Sequence, residues 1–295
     1  MAIAAMLALV GTSAAAAGDL EQVSADGAFV NTGGGVKGGP VVRTAAEEAL
    51  HAQKRKLVAA WEAMRSGTLD VSTFEADYDA FMAKVGGAQR QAIVPMGYTD
   101  LILPLVQRPQ AKSYYCGPAV AVEILDYLDD PGIYDVAGPN GESLSQAHVA
   151  AKCTKGYLCT DKETQTPWYY TSEYPHPMKS TINQWAGTQY YSVENDTSQW
   201  VSDLGFDIVH GYPIAANVNE WSGRGYHLVG HPTNANIGHW VAAHGFKDEG
   251  AITRYADSVH GTTFWSWSDD VPAHSDYNSA RFEWLMSNNS KGYVG

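Results

Sequence analysis

The sequence predicts an α+β fold in which helices come first and an antiparallel sheet second. Capped, amphipathic helical patterns dominate the chain up to about residue 204, and strand-like runs broken by turn residues dominate from Ile214 onward. The two kinds of segment do not alternate, as βαβ units in a parallel sheet would require. The 295 residues are 45% hydrophobic and 17% charged, which suits one sizeable core plus an added segment and excludes a disordered chain. A formal net charge of −13 repels nucleic acid and anionic membrane, so neither is an expected partner.

Residues 3–10 form a short apolar run, followed by small residues up to Ala17. Ala15 and Ala17 fit an A-x-A cleavage pattern ahead of Gly18, so residues 1–17 read as a secretory signal peptide, although no Lys or Arg precedes the run. The run is too short to anchor the chain in a bilayer, and a secreted location is expected. Residues 18–42 contain Gly27, Gly33-Gly34-Gly35 and Gly38-Gly39 and read as a flexible linker.

Residues 43–90 read as a helical hairpin. Thr44-Ala45-Ala46-Glu47 is a capping box, and Leu50, Leu57, Val58, Trp61 and Met64 follow at helical spacing. Ser66-Gly67-Thr68 breaks the pattern. Ser72-Thr73-Phe74-Glu75 reads as a second capping box, Phe74, Tyr78, Phe81, Met82 and Val85 share the next apolar face, and Gly86-Gly87 ends it. One apolar side must pack on something. The hairpin is either a fixed addition to the main domain or a pro-segment lying over its active site, with Arg90 near an accessible cleavage region.

The main domain runs over residues 91–295. Ser143-Leu144-Ser145-Gln146 reads as the cap of a helix reaching about Lys152, and residues 177–185 and 197–204 read as further helices. Residues 190–193 read as a strand. Residues 214–218 read as a buried strand introduced by Gly211-Tyr212-Pro213, and turns fall at Lys247-Asp248-Glu249-Gly250 and Val259-His260-Gly261. No internal repeat is visible, and no pattern indicates an oligomeric state.

Cys116 lies in Tyr114-Tyr115-Cys116-Gly117-Pro118. Beyond it Val120, Ile124, Leu125 and Leu128 share a helical face, Pro118 suits a first turn, and Asp129-Asp130-Pro131-Gly132 stops the helix. The sulfur therefore opens a helix, where free N–H groups and the macrodipole favour a thiolate. A thiolate is a nucleophile, and Gln110, six residues upstream, is placed to donate to an oxyanion beside it, with Gln107 as competitor. The alternative is a buried structural cysteine. The other two cysteines, Cys153 and Cys159, suit a small disulfide loop in an oxidising compartment, which leaves Cys116 as the free thiol. A zinc site from Cys153, Cys159 and His148 lacks a visible fourth ligand, and no metal or cofactor is expected.

A thiol nucleophile needs a base and a group to orient it. Of ten histidines, His239 opens the strand-like run up to Phe246, and Asp257 closes the run that begins at Ile252. Centring a hairpin on the turn at 247–250 puts His239 and Asp257 opposite or nearly opposite, on one face. A slip of one residue would separate them. His244 falls on the other face and reads as packing. His231, in His231-Pro232-Thr233-Asn234, is the rival base but has no comparably placed acid in the sequence. Gly238 either allows close approach of another segment or is only a turn residue.

Gln110, Tyr115-Cys116-Gly117-Pro118, Gly238-His239-Trp240-Val241 and Tyr255-Ala256-Asp257, in that order, resemble the C-39-like branch of the papain-like cysteine peptidases, named for bacteriocin-processing peptidases. The resemblance spans residues 103–267 and is closest to the secreted, stand-alone bacterial type. It implies a papain-like fold and peptide-bond hydrolysis, with Cys116 as nucleophile, His239 as general base, Asp257 as its orienter and Gln110 in the oxyanion hole. The implied partner is a peptide or protein substrate. Asp257 is followed by Ser258-Val259 rather than by proline, which departs from the pattern, and the hairpin and the Cys153–Cys159 pair lie outside it. Acyl transfer on the same triad is the alternative chemistry. A non-catalytic module binding peptide or glycan through Trp168, Tyr169, Tyr170, Trp185 and Trp221 is the alternative class.

Overall fold

The computed structural model describes residues 30–31, 41–86, 98–129, 134–160, 166–168, 176–288 and 291–295. The signal-peptide segment lies outside them, as does most of the glycine-rich stretch. Two residues of that stretch, β1 (Val30–Asn31), pair in parallel with Ile237 and Gly238, so this part of the expected linker is a strand. The close approach expected at Gly238 is therefore made by Asn31.

After β1 come α1 (Ala45–Arg65), α2 (Val71–Val85), β2 (Leu101–Ile102), α3 (Cys116–Leu128), α4 (Gln146–Ala150) and α5 (Pro177–Trp185). The second half holds β3 (Val193–Glu194), α6 (Trp200–Val209), β4 (Ile214–Glu220), β5 (Ile237–Lys247), β6 (Ile252–Ala256), β7 (His274–Asn278), α7 (Ser279–Ser287) and β8 (Tyr293–Val294). The α+β order is thus as expected. The sheet runs β3-β8-β4-β5-β6-β7, with β1 and β2 also on β5, and every pairing but that of β1 is antiparallel.

The central strands β4 and β5 are buried on both faces, so their side chains alternate between two cores. Trp240 and Ala242 join a core with α3, α5 and the α1–α2 hairpin. Val241 and Ala243 join Trp200, Leu204 and Ile208 of α6 and Phe282 and Leu285 of α7. Helix α3 is buried nearly all round, from Cys116 to Leu125 and again at Leu128, rather than along one stripe. An interior helix needs no polar face, which is why its amphipathic reading falls short.

Several boundaries move. The second hairpin helix is capped by Asp70, whose carboxylate accepts from Ser72 N–H, because the helix begins two residues before the expected box. Ser145 rather than Ser143 caps α4, which ends at Ala150. Residues 190–192 precede β3 as irregular chain, and 197–199 form a 3₁₀ turn leading into a longer α6. Trp168 and Trp185 are buried, so of the expected aromatic binding surface only Trp221 is seen exposed; Tyr169 and Tyr170 lie outside the described residues.

The hairpin is built into the main core. Thr44 and Glu47 form the predicted capping box, and Gly86, at φ 70°, closes α2 in the left-handed region that suits glycine. Trp61 meets Phe206 edge-on, Tyr78 stacks on His210 at 4.3 Å, and Phe81 meets Tyr190. Lys54 is buried in an ion pair with Asp207 at 2.8 Å. Truncation up to Gly86 uncovers these rings and leaves Asp207 without its cation. The truncated protein is expected to aggregate with no gain in specific activity, and Trp61→Ala alone to cost about 3–5 kcal/mol in a urea melt. A soluble, hyperactive truncation would identify the hairpin as an inhibitory pro-segment instead.

Candidate active site

Helix α3 places Cys116 in its first turn, with no side-chain cap on Tyr115, so its leading N–H groups stay available to an anion. The sulfur is buried, and the backbone N–H of Trp240 on β5 points to it at 3.4 Å. Thr166 lies against the same turn: a Cβ on Gly117 would come within 2.0 Å of Thr166 Oγ1, so only glycine fits there. Trp168 stacks on Trp240 with ring centroids 5.8 Å apart. Cys153 and Cys159 form the expected disulfide, and Cys116 is the free cysteine. His148 is occupied elsewhere, with Nδ1 on Ser143 O at 2.7 Å.

His239 and Asp257 meet, but not through the expected register. Lys247 pairs with Ile252 and Gly245 with Arg254, whereas Ala243 pairs with Tyr255, so His244 is an extra residue in β5. Beyond this bulge Ala242 faces Ala256, and continuing the register puts Val241 opposite Asp257. His239 is then a diagonal neighbour of Asp257 on the same face. Without the extra residue Ala242 would face Asp257, and His239 would point to the other side. His239 Nε2 reaches Asp257 Oδ1 at 2.8 Å, and the same imidazole interacts with the Cys116 side chain. Burial pulls the His239 imidazole down, but the charge and hydrogen bond of Asp257, helped by those of Cys116, push it up to about 10. Burial also opposes ionisation of Asp257, yet His239 and His231 together hold its carboxyl well below the usual range.

Gln110 lies on the loop before α3 and is tied to the residue after Asp257. Its N–H donates to Ser258 O at 2.8 Å, Ser258 Oγ donates to its Oε1 at 3.2 Å, and its Nε2 donates to Lys112 O at 2.8 Å. One amide hydrogen remains for a further acceptor. Ser258, the departure from the family pattern, thus supplies a hydroxyl that proline lacks. Gln107 donates to the carbonyls of Asp257 and His260, at 3.0 and 3.3 Å, and so holds the loop that carries the acid.

Glu220, Glu123 and Lys291 join the site without a signal in the sequence, and the surroundings of His231 differ from those expected. His231 does have acids beside it, Glu220 at 2.7 Å and Asp257 at 3.1 Å, because the loop from β4 to β5 folds back over both. Glu123 of α3 accepts from Arg108 N–H at 2.8 Å, and burial pushes its carboxyl up to about 8. Lys291 is buried too, and burial pulls its ammonium down to about 7 against the charge of Cys116. No short motif links any of them to Cys116. Among the described residues His231, His239 and Asp257 are the group of metal-ligating type, their atoms lying within 4.8 Å of one another. Their hydrogen bonds to one another already use these atoms.

Residues 102–284, more than half of the chain, match the family described as Peptidase_C39 like. The chain belongs to the Peptidase_C39 like family. It is therefore a cysteine-type peptidase of papain-like architecture, with a cysteine-bearing helix against an antiparallel sheet. Among solved structures it is similar to xylellain, a cysteine protease from Xylella fastidiosa, with 14% identity and a TM-score of 0.33 over 70% of this chain and 88% of that one. No curated protein matches this peptidase. Among its described residues no helix is long and apolar enough to cross a membrane.

Proposed function

We propose that this peptidase is secreted and hydrolyses peptide bonds through Cys116, His239 and Asp257. The observation that carries the reading is His239, which bonds Asp257 at 2.8 Å and interacts with the Cys116 side chain. The thiolate attacks the amide carbonyl, and its electron pair forms the C–S bond as the carbonyl oxygen becomes an oxyanion. The spare Gln110 amide hydrogen and the N–H of Cys116 stabilise that oxygen. The tetrahedral intermediate collapses as protonated His239 gives its proton to the leaving amine, the C–N bond breaks, the amine departs and the acyl group stays on Cys116 as a thioester. Neutral His239 then takes a proton from water, whose oxygen displaces the sulfur.

The disulfide between Cys153 and Cys159 supports an oxidising compartment and hence secretion. Incubation with a mixed peptide library, read by mass spectrometry, tests the hydrolysis. New termini are expected with wild type, and Gln110→Ala is expected to slow their appearance by about 10²–10³-fold, the usual cost of one oxyanion donor. Crosslinked or transferred products without new free acids would show acyl transfer instead. Unaltered peptides would leave a binding module.

A further inference from the structure

His231 sits between two carboxylates, a placement that the hydrolytic cycle does not use. Its Nδ1 lies 2.7 Å from Glu220 Oε1 and its Nε2 lies 3.1 Å from Asp257 Oδ2. All three side chains are essentially shut off from solvent. The other Glu220 oxygen accepts from Leu228 N–H at 3.2 Å, which fixes that carboxylate in place. The Trp267 ring closes over the imidazole at 4.9 Å.

An ionised carboxylate only accepts hydrogen bonds, and a neutral imidazole has a single N–H. Two carboxylates on the two ring nitrogens are both satisfied only when both nitrogens carry protons. A neutral His231 would turn a lone pair toward a buried carboxylate, leaving a buried charge without its donor.

We infer that His231 is a positioning residue: an imidazolium, clamped by Glu220, that holds Asp257 ionised and turned so that its other oxygen meets His239. The inference rests on the reading of Cys116, His239 and Asp257 as catalytic. Glu220, His231, Asp257 and His239 then alternate in charge from the interior to the sulfur. Asp257 is shared by two imidazolium groups, so His239 holds its proton less tightly than as sole partner and can release it to a leaving amine.

The surroundings agree. Burial pulls the His231 imidazole down, but Glu220 and Asp257 outweigh it and push it up to about 9. The other titratable groups acting on this chain are Glu123 on α3, Tyr255 on β6 and Tyr277 on β7, besides Cys116 beyond His239. Burial pushes Glu123, Tyr255 and Tyr277 upward, which disfavours their charged forms. Glu220 and Asp257 therefore set the charge balance at His231.

The test is ¹⁵N-histidine NMR of the full chain, alongside kcat/KM against pH on a cleaved peptide. Near pH 8 wild type should show two imidazoles with both nitrogens protonated, of which His239→Gln removes one and His231→Gln the other. Glu220→Gln should lower the titration of the His231 signal by about one pH unit and move the alkaline limb of kcat/KM the same way. A purely structural clamp would not move that limb. If His231→Gln does not fold, the signal left in His239→Gln belongs to His231 and decides the matter. A neutral His231 near pH 8, or a Glu220→Gln profile that does not move, overturns the inference and leaves peptide hydrolysis untouched. A protonated His231 in a chain that cleaves no peptide overturns the catalytic reading and, with it, the positioning role.

Discussion

Cys116→Ala is expected to abolish peptide hydrolysis and to leave the fold standing. The substitution removes one sulfur atom from a buried position, a loss on the order of 1 kcal/mol in packing. It also removes the only atom at the start of α3 able to form the acyl bond, so turnover is expected to fall by at least about 10⁴-fold. Circular dichroism and a thermal melt check the first half, and initial rates on a cleaved peptide check the second. His239→Ala should match it in rate, because His239 is the histidine among the described residues whose side chain is seen to interact with Cys116. His244→Ala should keep most activity, since its ring faces Leu103 O at 2.9 Å and His274 at 3.0 Å, away from Cys116. A dead His244→Ala beside an active His239→Ala would reverse the assignment of the base.

Asp257→Asn is expected to cost on the order of 10³–10⁴ in kcat, the scale set by losing the acid that orients a catalytic histidine. Here the loss is compounded, because Asp257 holds His239 and His231 at once. The neutral amide leaves two buried imidazoles without their shared counter-charge, so both hold their protons less well. Asp248→Asn is the control. Asp248 lies exposed in the turn between β5 and β6, and its backbone N–H, which the substitution keeps, bonds Asp100 at 2.9 Å. Equal rates for the two variants, measured beside wild type, would remove Asp257 from the mechanism.

What could be read from the chain follows the range of the interactions. Local signals held. The Thr44 capping box, the Cys116 helix start, the apolar faces of the hairpin and the bounds of α5 each depend on residues a few positions apart. The pairing of His239 with Asp257 was reached through an even register that the turn alone does not produce. The bulge at His244 restores the parity, and one extra residue in a strand leaves no mark in a periodicity. Glu220 and His231 come together by the folding of a loop between two strands, which local spacing does not report. Ser258 looked like a departure from the family and proves to be a partner of Gln110. The hairpin needed a partner surface on physical grounds, but only the tertiary structure shows that surface to be Phe206, His210 and Tyr190.

Hydrolysis by the proposed route requires Cys116 to be a nucleophile activated by His239. Peptide mapping by mass spectrometry, after the unreduced protein is treated with a peptidyl electrophile, tests it most directly. A single adduct is expected, on Cys116, formed much more slowly in His239→Ala, with Cys153 and Cys159 unlabelled in their disulfide. An adduct on Cys153 or Cys159 with Cys116 inert, or labelling of Cys116 at the same rate without His239, would contradict it.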